Sequence, residues 1–307
     1  MKMLGLPLLL LLALLLAGCS GVASVSAALF GDPGTVSSQE GALTAEATEE
    51  PPSSAAPANV VPPSPTPVQA PATPVPTPKP GTVTAAPILM YHYIRELPPN
   101  TTDHLGYGLS IAPKLFEDEL AYLAGAGYTS VSMEDLVSHI TRGTPLPPKP
   151  IVLTFDDGYF DFYMAAWPLL KKYGFGATAY LVVDFLGKPG YLSWQQTQEL
   201  RDSGIEIGAH TLDHVDLAIQ GLPQARRQIF DSRQILQQRL NAPVNTFAYP
   251  SGRYTTSTVK LVGEAGFSSA VTTAFGERHT TANLLTLARI RVSGGISMLN
   301  FIKNLAG

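Results

Sequence analysis

Residues 151–158 read Ile-Val-Leu-Thr-Phe-Asp-Asp-Gly, and no other stretch constrains the fold as strongly. Five apolar or β-branched residues in a row describe a strand buried on both faces, as inside a parallel sheet or barrel. The run ends in two adjacent carboxylates, Asp156 and Asp157, and Gly158. The C-terminal ends of strands are where α/β folds keep their chemistry. Two like charges at the mouth of a core strand are costly unless a cation or a strong donor compensates them. Asp-Asp-Gly is also an ordinary turn sequence, so the rest of the chain must decide between turn and site.

The 27 prolines of this 307-residue chain are unevenly spread, and that divides it. Lys2 precedes a leucine-rich run, Leu4 to Leu16, too short to span a bilayer comfortably but suited to a signal peptide. It ends in Leu16-Ala17-Gly18-Cys19, which resembles a bacterial lipobox; the alternative is a plain signal peptide with Cys19 incidental. Cys19 is the only cysteine, so no internal disulfide is possible. The resemblance implies a signal peptide over 1–18 and a lipid on Cys19. It also implies export and an anchor in the bilayer on the outer side of the cell membrane. Residues 19–86 are rich in Pro, Ala, Ser and Thr, with few large apolar residues and no periodicity, and are expected to be a disordered linker. Fully extended, it would reach about 200 Å at ~3.1 Å per residue. Charged residues make up 14% with a net charge of −4 and no basic run, which leaves no footprint for nucleic acid.

Residues 87–307 have the size of one α/β domain. A strand over Ile88–Ile94 is interrupted by His92. The apolar face of Leu115, Phe116, Leu120 and Leu123 predicts a helix over Pro113–Gly125. Ser132 is placed as an N-cap, Gly174 closes a helix over 159–173, and Ser193 caps another to Asp202. Further strands fall at 128–131, 177–183, 205–209, 246–249, 270–273 and 285–292, with helices over 223–240, 256–265 and 296–305. Strands and helices alternating at this spacing mean βα units and a mostly parallel sheet. About seven core strands favour a deformed (β/α) barrel. No GxGxxG or P-loop is present, which argues against a nucleotide site.

Three strand ends carry polar groups: Asp156-Asp157, His210 with His214, and Tyr249-Pro250-Ser251-Gly252. A parallel barrel brings such ends to one rim. Two histidines four apart are often plain surface residues. With a carboxylate at a neighbouring strand end they make a three-ligand site with open positions, which is the catalytic kind.

Thr154-Phe155-Asp156-Asp157-Gly158, His210-Thr211-xx-His214 and the Tyr-Pro-Ser-Gly turn resemble the first three motifs of the NodB-homology polysaccharide deacetylases, carbohydrate esterase family 4. The stretch Trp194–Gly208 is similar as well, and the likeness spans nearly all of 87–307. It implies metal-dependent removal of N- or O-acetyl groups from polysaccharides. By matching position, Asp157, His210 and His214 would hold the metal and Asp156 would be the general base. Ser251 N–H would face the oxyanion. Zinc is the expected metal; cobalt and nickel suit the same ligands.

Two departures stand out. The arginine that opens the family's third motif is replaced by Phe247-Ala248-Tyr249, and Leu285-Thr286-Leu287-Ala288-Arg289 lacks the late histidine that protonates the leaving amine. The early Tyr91-His92 and the Tyr-Pro-x-Gly turn resemble the branch acting on poly-β-1,6-N-acetylglucosamine, in which the early histidine is the acid. His92 is therefore the candidate acid, the alternative being a core histidine. His279, in what reads as a solvated loop, is its competitor; His104 and His139 read as surface residues. Arg289 could orient Asp156, or could be a surface charge. Trp194, Tyr191 and Tyr254 could stack on sugars or simply pack.

The expected function is N-deacetylation of an extracellular N-acetylglucosamine polymer by a monomer. Peptidoglycan, chitin-like chains and acetylated xylan stay open as substrates. A non-catalytic polysaccharide-binding lipoprotein and a non-haem iron oxygenase remain as other classes.

Overall fold

The computed structural model describes residues 82–305. The Leu4–Leu16 run, Cys19 and the linker up to residue 81 lie outside the described residues. No helix among the described residues is long and apolar enough to cross a membrane.

Seven strands close a barrel: β1 Ile88–Tyr91, β2 Pro150–Phe155, β3 Thr178–Leu181, β4 Glu206–Ala209, β5 Thr246–Ala248, β6 Ser269–Phe275 and β7 Leu287–Arg291. All are parallel and follow one another in chain order. Ile88 pairs with Val152, Thr154 with Thr178, Ala179 with Ile207, Ala209 with Phe247, Val271 with both Ala248 and Leu287, and Ile290 returns to Leu89. The expected deformed (β/α) barrel of seven strands is the observed fold. The deformation lies in β6, where the register with β7 slips between Val271 and Phe275.

Strand side chains alternate with period two, and here the two parities build two cores. Ile88, Val152, Tyr180, Ala248, Val271 and Leu287 form the interior cluster with Met133, Leu136 and Ile140 of the helix Met133–Arg142. Leu89, Leu153, Phe155, Leu181, Ile207, Phe247 and Ile290 belong to the outer cluster under the surrounding helices. Tyr180 crosses the interior and its hydroxyl meets Thr246 at 2.8 Å. Gly208 makes that possible, because a Cβ there would lie 2.4 Å from the Tyr180 ring. At the N-terminal end of the barrel, Glu206 accepts from the Met133 and Glu134 amides and from Thr178 Oγ1. The carboxylate thereby seats the helix Met133–Arg142 by its N-terminus.

Local signals behave as their chemistry requires. The helix Pro113–Gly125 is observed over its expected bounds. Ser132 and Ser193 each form a capping box, and Gly174 ends its helix in the left-handed conformation. The helix expected over Tyr159–Tyr173 begins at Phe160 and widens into a π turn over Phe162–Ala166 before it passes into Trp167–Tyr173. Pro168 explains the turn, since in a regular α-helix its ring would collide with the Met164 carbonyl. Tyr159 itself is taken up by a bridge to Tyr191.

Three short elements were not legible. One is the helix His104–Leu109, and one is the pairing of Tyr93–Ile94 with Ser110–Ile111. The third pairs Thr84–Ala85 with Arg278–His279, so the fold already engages the chain ahead of residue 87. It also corrects the reading of His279 as part of a solvated loop. His279 is buried, with Nε2–H donating to the Ala86 carbonyl at 3.0 Å, because strand pairing draws it inward.

Glu119 stands out on the helix Pro113–Gly125. It is fully buried and accepts from the Tyr91 hydroxyl at 3.0 Å. Burial raises its pKa from 4.5 to about 8, although the Tyr91 hydrogen bond pulls the other way. A folded-state pKa above the unfolded one means stability that is complete at low pH and lost as pH rises through the shifted value. Unfolding by urea from about pH 5 to about pH 9 should show wild-type stability declining with pH. The Glu119→Gln chain should lack that slope; a parallel slope in both would remove Glu119 as its source.

Candidate active site

The parity that fills the barrel also aims the site. Counting in twos from the interior residues leads from Met90 to His92, from Thr154 to Asp156, from Gly208 to His210 and from Leu287 to Arg289. These four come from different strands, and all four side chains meet at the C-terminal mouth.

Arg289 is buried and grips Asp156 bidentately, Nη1 to Oδ1 at 2.8 Å and Nη2 to Oδ2 at 2.7 Å. Its Nε–H donates to the Thr272 carbonyl and Nη1 also donates to Thr154 Oγ1, so the fork is held along its length. Burial pushes the Asp156 carboxyl up, but the guanidinium outweighs it and holds the group below the usual range. This excludes the surface-charge reading of Arg289. The arginine absent from the third motif is supplied by the last barrel strand.

Asp157 projects from the same strand end to the other side of Asp156. Its Oδ1 lies 3.4 Å from His210 Nε2 and 3.3 Å from His214 Nε2, and it has no hydrogen-bond partner although it is buried. One ligand atom from each of the three side chains lies within 4.8 Å of the others. His210 donates from Nδ1 to the Ala248 carbonyl at 2.7 Å, which turns Nε2 toward Asp157. Such a second bond fixes ring and tautomer in metal-binding histidines. An orphaned buried carboxylate oxygen facing two aligned imidazole nitrogens fits a divalent cation.

His92 lies in the break between Ile88–Tyr91 and Tyr93–Ile94, with Nε2 3.9 Å from Asp156 Oδ2. Burial lowers its pKa, while the carboxylates of Asp156 and Asp157 pull it back up. Ser251 also lines the mouth, and Thr273 Oγ1 donates to its carbonyl at 3.5 Å. Gly252, at φ +67°, cannot be another residue, since a Cβ would sit 2.0 Å from Thr273 Oγ1. With Leu109, Tyr159 and Arg291 these groups bound a cleft of about 240 Å³.

The loops are held in conformations that ordinary side chains avoid. Asp157, Thr211, His214 and Ser251 all have positive φ, from 53° to 75°. Among the described non-glycine residues only Lys149 and Asn241 share that region. Each costs on the order of 1 kcal/mol or more and persists only where its surroundings enforce it. For the histidine loop the enforcement is visible: Thr211 Oγ1 accepts from the His214 amide, and Gln228 Oε1 accepts from the amides of Leu212 and Asp213 at 2.9 and 3.3 Å. Gln228 is a buried residue of the helix Leu222–Leu240, and the sequence reading missed it. A glutamine on the inner face of an amphipathic helix was the available signal.

On the opposite side, Tyr159 stacks on Tyr93 with centroids 3.5 Å apart and on Tyr191 at 5.2 Å. The Arg95 guanidinium covers the far face of the stack, 3.4 Å from the Tyr93 centroid. The stack ties together loops from β1, β2 and the segment after β3. Of the other aromatic candidates, Trp194 packs against the outer core and Tyr254 leans on Tyr249, half exposed. His104 is exposed and His139 bonds the Thr144 carbonyl, away from the cleft lining.

A singly wound barrel with a charge-paired carboxylate beside an Asp-His-His cluster has the form of a hydrolase site. Comparison with known proteins narrows it. A family model described as polysaccharide deacetylase matches residues 143–270. YxkH of Bacillus subtilis, named as a polysaccharide deacetylase, is 32% identical over 211 residues, 69% of this chain and 72% of that one. The structure of the deacetylase PplD from Streptococcus pyogenes in complex with acetate is 32% identical, with a TM-score of 0.68, over 73% of this chain and 99% of that chain. The poly-β-1,6-N-acetyl-D-glucosamine N-deacetylase of Escherichia coli K12 is 29% identical over 119 residues, 34% of this chain and 18% of that protein. The chain belongs to the polysaccharide deacetylase family, and it is a deacetylase of the hydrolase class.

Removing the clamp under the histidine loop should be felt at the ligands. Gln228→Ala should weaken zinc binding about 10–100-fold, the usual effect of losing such outer support, as read by competition with a chromophoric chelator. Gln228→Glu keeps an acceptor for both amides and should recover most of that loss. Unchanged affinity in the alanine variant would show that the loop holds itself.

Proposed function

We propose that this protein is a metal-dependent N-deacetylase of an exported N-acetylglucosamine polysaccharide, held at the outer side of the cell membrane by a lipid on Cys19. The observation that carries the reading is the bidentate Arg289–Asp156 pair beside Asp157, His210 and His214. It keeps one carboxylate ionised and free of the cluster, as a general base requires.

In this reading Asp157, His210 and His214 hold a divalent cation, with zinc preferred and cobalt or nickel alternatives. Such a cation supplies Lewis acidity toward the acetyl carbonyl and acidity to water. Asp156 accepts the proton of the attacking water, and Arg289 keeps its carboxylate oriented and anionic. His92 Nε2 delivers a proton to the departing amine nitrogen. Ser251 offers its backbone N–H to the oxyanion from the Pro250–Gly252 turn. The E. coli relative, named for poly-β-1,6-N-acetyl-D-glucosamine, supports the choice of polymer over the matching segment. The complete ligand and base set speaks against a non-catalytic binder. The alternation of β and α elements around the barrel speaks against an oxygenase of the two-histidine-one-carboxylate kind. Peptidoglycan, chitin-like chains and acetylated xylan remain as substrate alternatives on the same site.

Acetate release from β-1,6- and β-1,4-linked N-acetylglucosamine oligomers tests the function directly. Release should be favoured on the β-1,6 series, stop after chelation and return with zinc or cobalt. Release only from acetylated xylan would replace the substrate, and full activity after exhaustive chelation would remove the metal. His92→Ala should slow amide hydrolysis about 10²–10⁴-fold, the range of a general-acid effect. The same variant should change hydrolysis of 4-nitrophenyl acetate only slightly, because a phenolate leaves without a proton. Equal losses on both substrates would take the acid role away from His92. For the anchor, Cys19→Ala should move the full-length protein from the membrane fraction to the soluble one; no redistribution would rule the lipid out.

A further inference from the structure

A second cleft opens on the far side of the helix His104–Leu109. It measures about 260 Å³, and its lining includes Arg95, Glu96, Pro98, Tyr107 and Ser110. The two clefts share that helix as a partition. Leu105 and Leu109 face the catalytic side, and Tyr107 faces the other. An α-helix with its side chains is about 10–12 Å across, and that width sets the separation of the two clefts. Its far end is tied down, with the Gly294 amide donating to the Gly108 carbonyl.

The clefts are also joined by a chain of side-chain contacts. Tyr159 lines the catalytic cleft and stacks on Tyr93, Tyr93 carries the Arg95 guanidinium, and Arg95 lines the second cleft while its Nε–H donates to Ser110 Oγ at 3.1 Å. Arg95 is therefore held in place before any ligand arrives. Tyr107 is 51% exposed and Glu96 is exposed. An open aromatic ring beside a fixed guanidinium and a free carboxylate suits a neutral, hydroxyl-rich ring: the tyrosine covers its C–H face and the two polar groups bond its hydroxyls. The catalytic cleft is too small for more than a short piece of polymer, so the remaining sugars must leave it along the surface.

We propose that the cleft lined by Arg95, Glu96 and Tyr107 is a second sugar-binding site, which holds a neighbouring unit of the same polysaccharide chain whose acetyl group lies in the catalytic cleft. This rests on the polysaccharide N-deacetylase reading above. The site would confer a preference for long chains without contributing to the chemistry.

The test is chain-length dependence with the full protein, using N-acetylglucosamine oligomers from two to six units and acetate release as readout. For wild type, kcat/KM should rise with length. Tyr107→Ala should lower it about tenfold on the hexamer, the effect of losing one well-placed contact, mainly through KM. The same variant should leave the dimer and 4-nitrophenyl acetate unchanged. Tyr107→Phe, which keeps the ring, should behave as wild type, and Glu96→Gln should show a smaller loss confined to long oligomers. A Tyr107→Ala loss equal at every length, or no loss on the hexamer, would overturn the second site while the deacetylase reading stands. Absence of acetate release by wild type at every length would instead overturn the deacetylase reading itself, and this proposal with it.

Discussion

Two carboxylates side by side at the mouth of a buried strand are the constraint on which the rest of this structure depends. Neither could stay ionised there unaided, because burial raises the pKa of both. The fold answers each differently. Asp156 receives a buried guanidinium in bidentate geometry, and Asp157 receives two imidazole nitrogens. Removing one partner of a buried pair costs about 3–5 kcal/mol, a large part of the 5–15 kcal/mol that holds a typical domain together. Arg289 is thus both part of the site and part of the scaffold, reaching across the barrel mouth from the last strand to the second.

That asymmetry separates the chemical tasks of two adjacent residues of one type. Asp157 keeps an unpartnered oxygen turned toward His210 and His214. Asp156 has both oxygens engaged by Arg289, with His92 Nε2 close to one of them. Opposite compensation of neighbouring groups is a general way for a site to assign roles.

Holding the loops so that the arrangement persists has its own cost. Four residues around the mouth adopt positive φ, and the surroundings lock them. Gln228 binds two amides of the histidine loop, Thr273 fills the space over Gly252, and the Tyr93–Tyr159–Tyr191 stack closes the other side. Preorganisation of this kind lets buried dipoles and charges act without rearrangement during reaction.

The sequence by itself determined the alternation of strands and helices, the caps Ser132, Ser193 and Gly174, the parallel barrel, and the cluster of Asp156, Asp157, His210 and His214. The first three follow from short-range physics, period-two and 3.6-residue patterns and capping side chains; the cluster follows from strand ends that a parallel barrel brings to one rim and from motifs that resemble the family's. Only the tertiary structure decided that Arg289 is buried against Asp156, 133 positions away in the chain. It alone decided that His279 is covered by the strand Thr84–Ala85, that Gln228 clamps the histidine loop, and that Tyr159 joins an aromatic stack rather than a helix. Each of these is a contact between distant segments, fixed by barrel register and closure, and no local pattern encodes which distant partner closure will deliver. The parity from Leu287 to Arg289 was present in the chain, but it acquired meaning only once β7 was known to lie beside β1, which in turn adjoins β2.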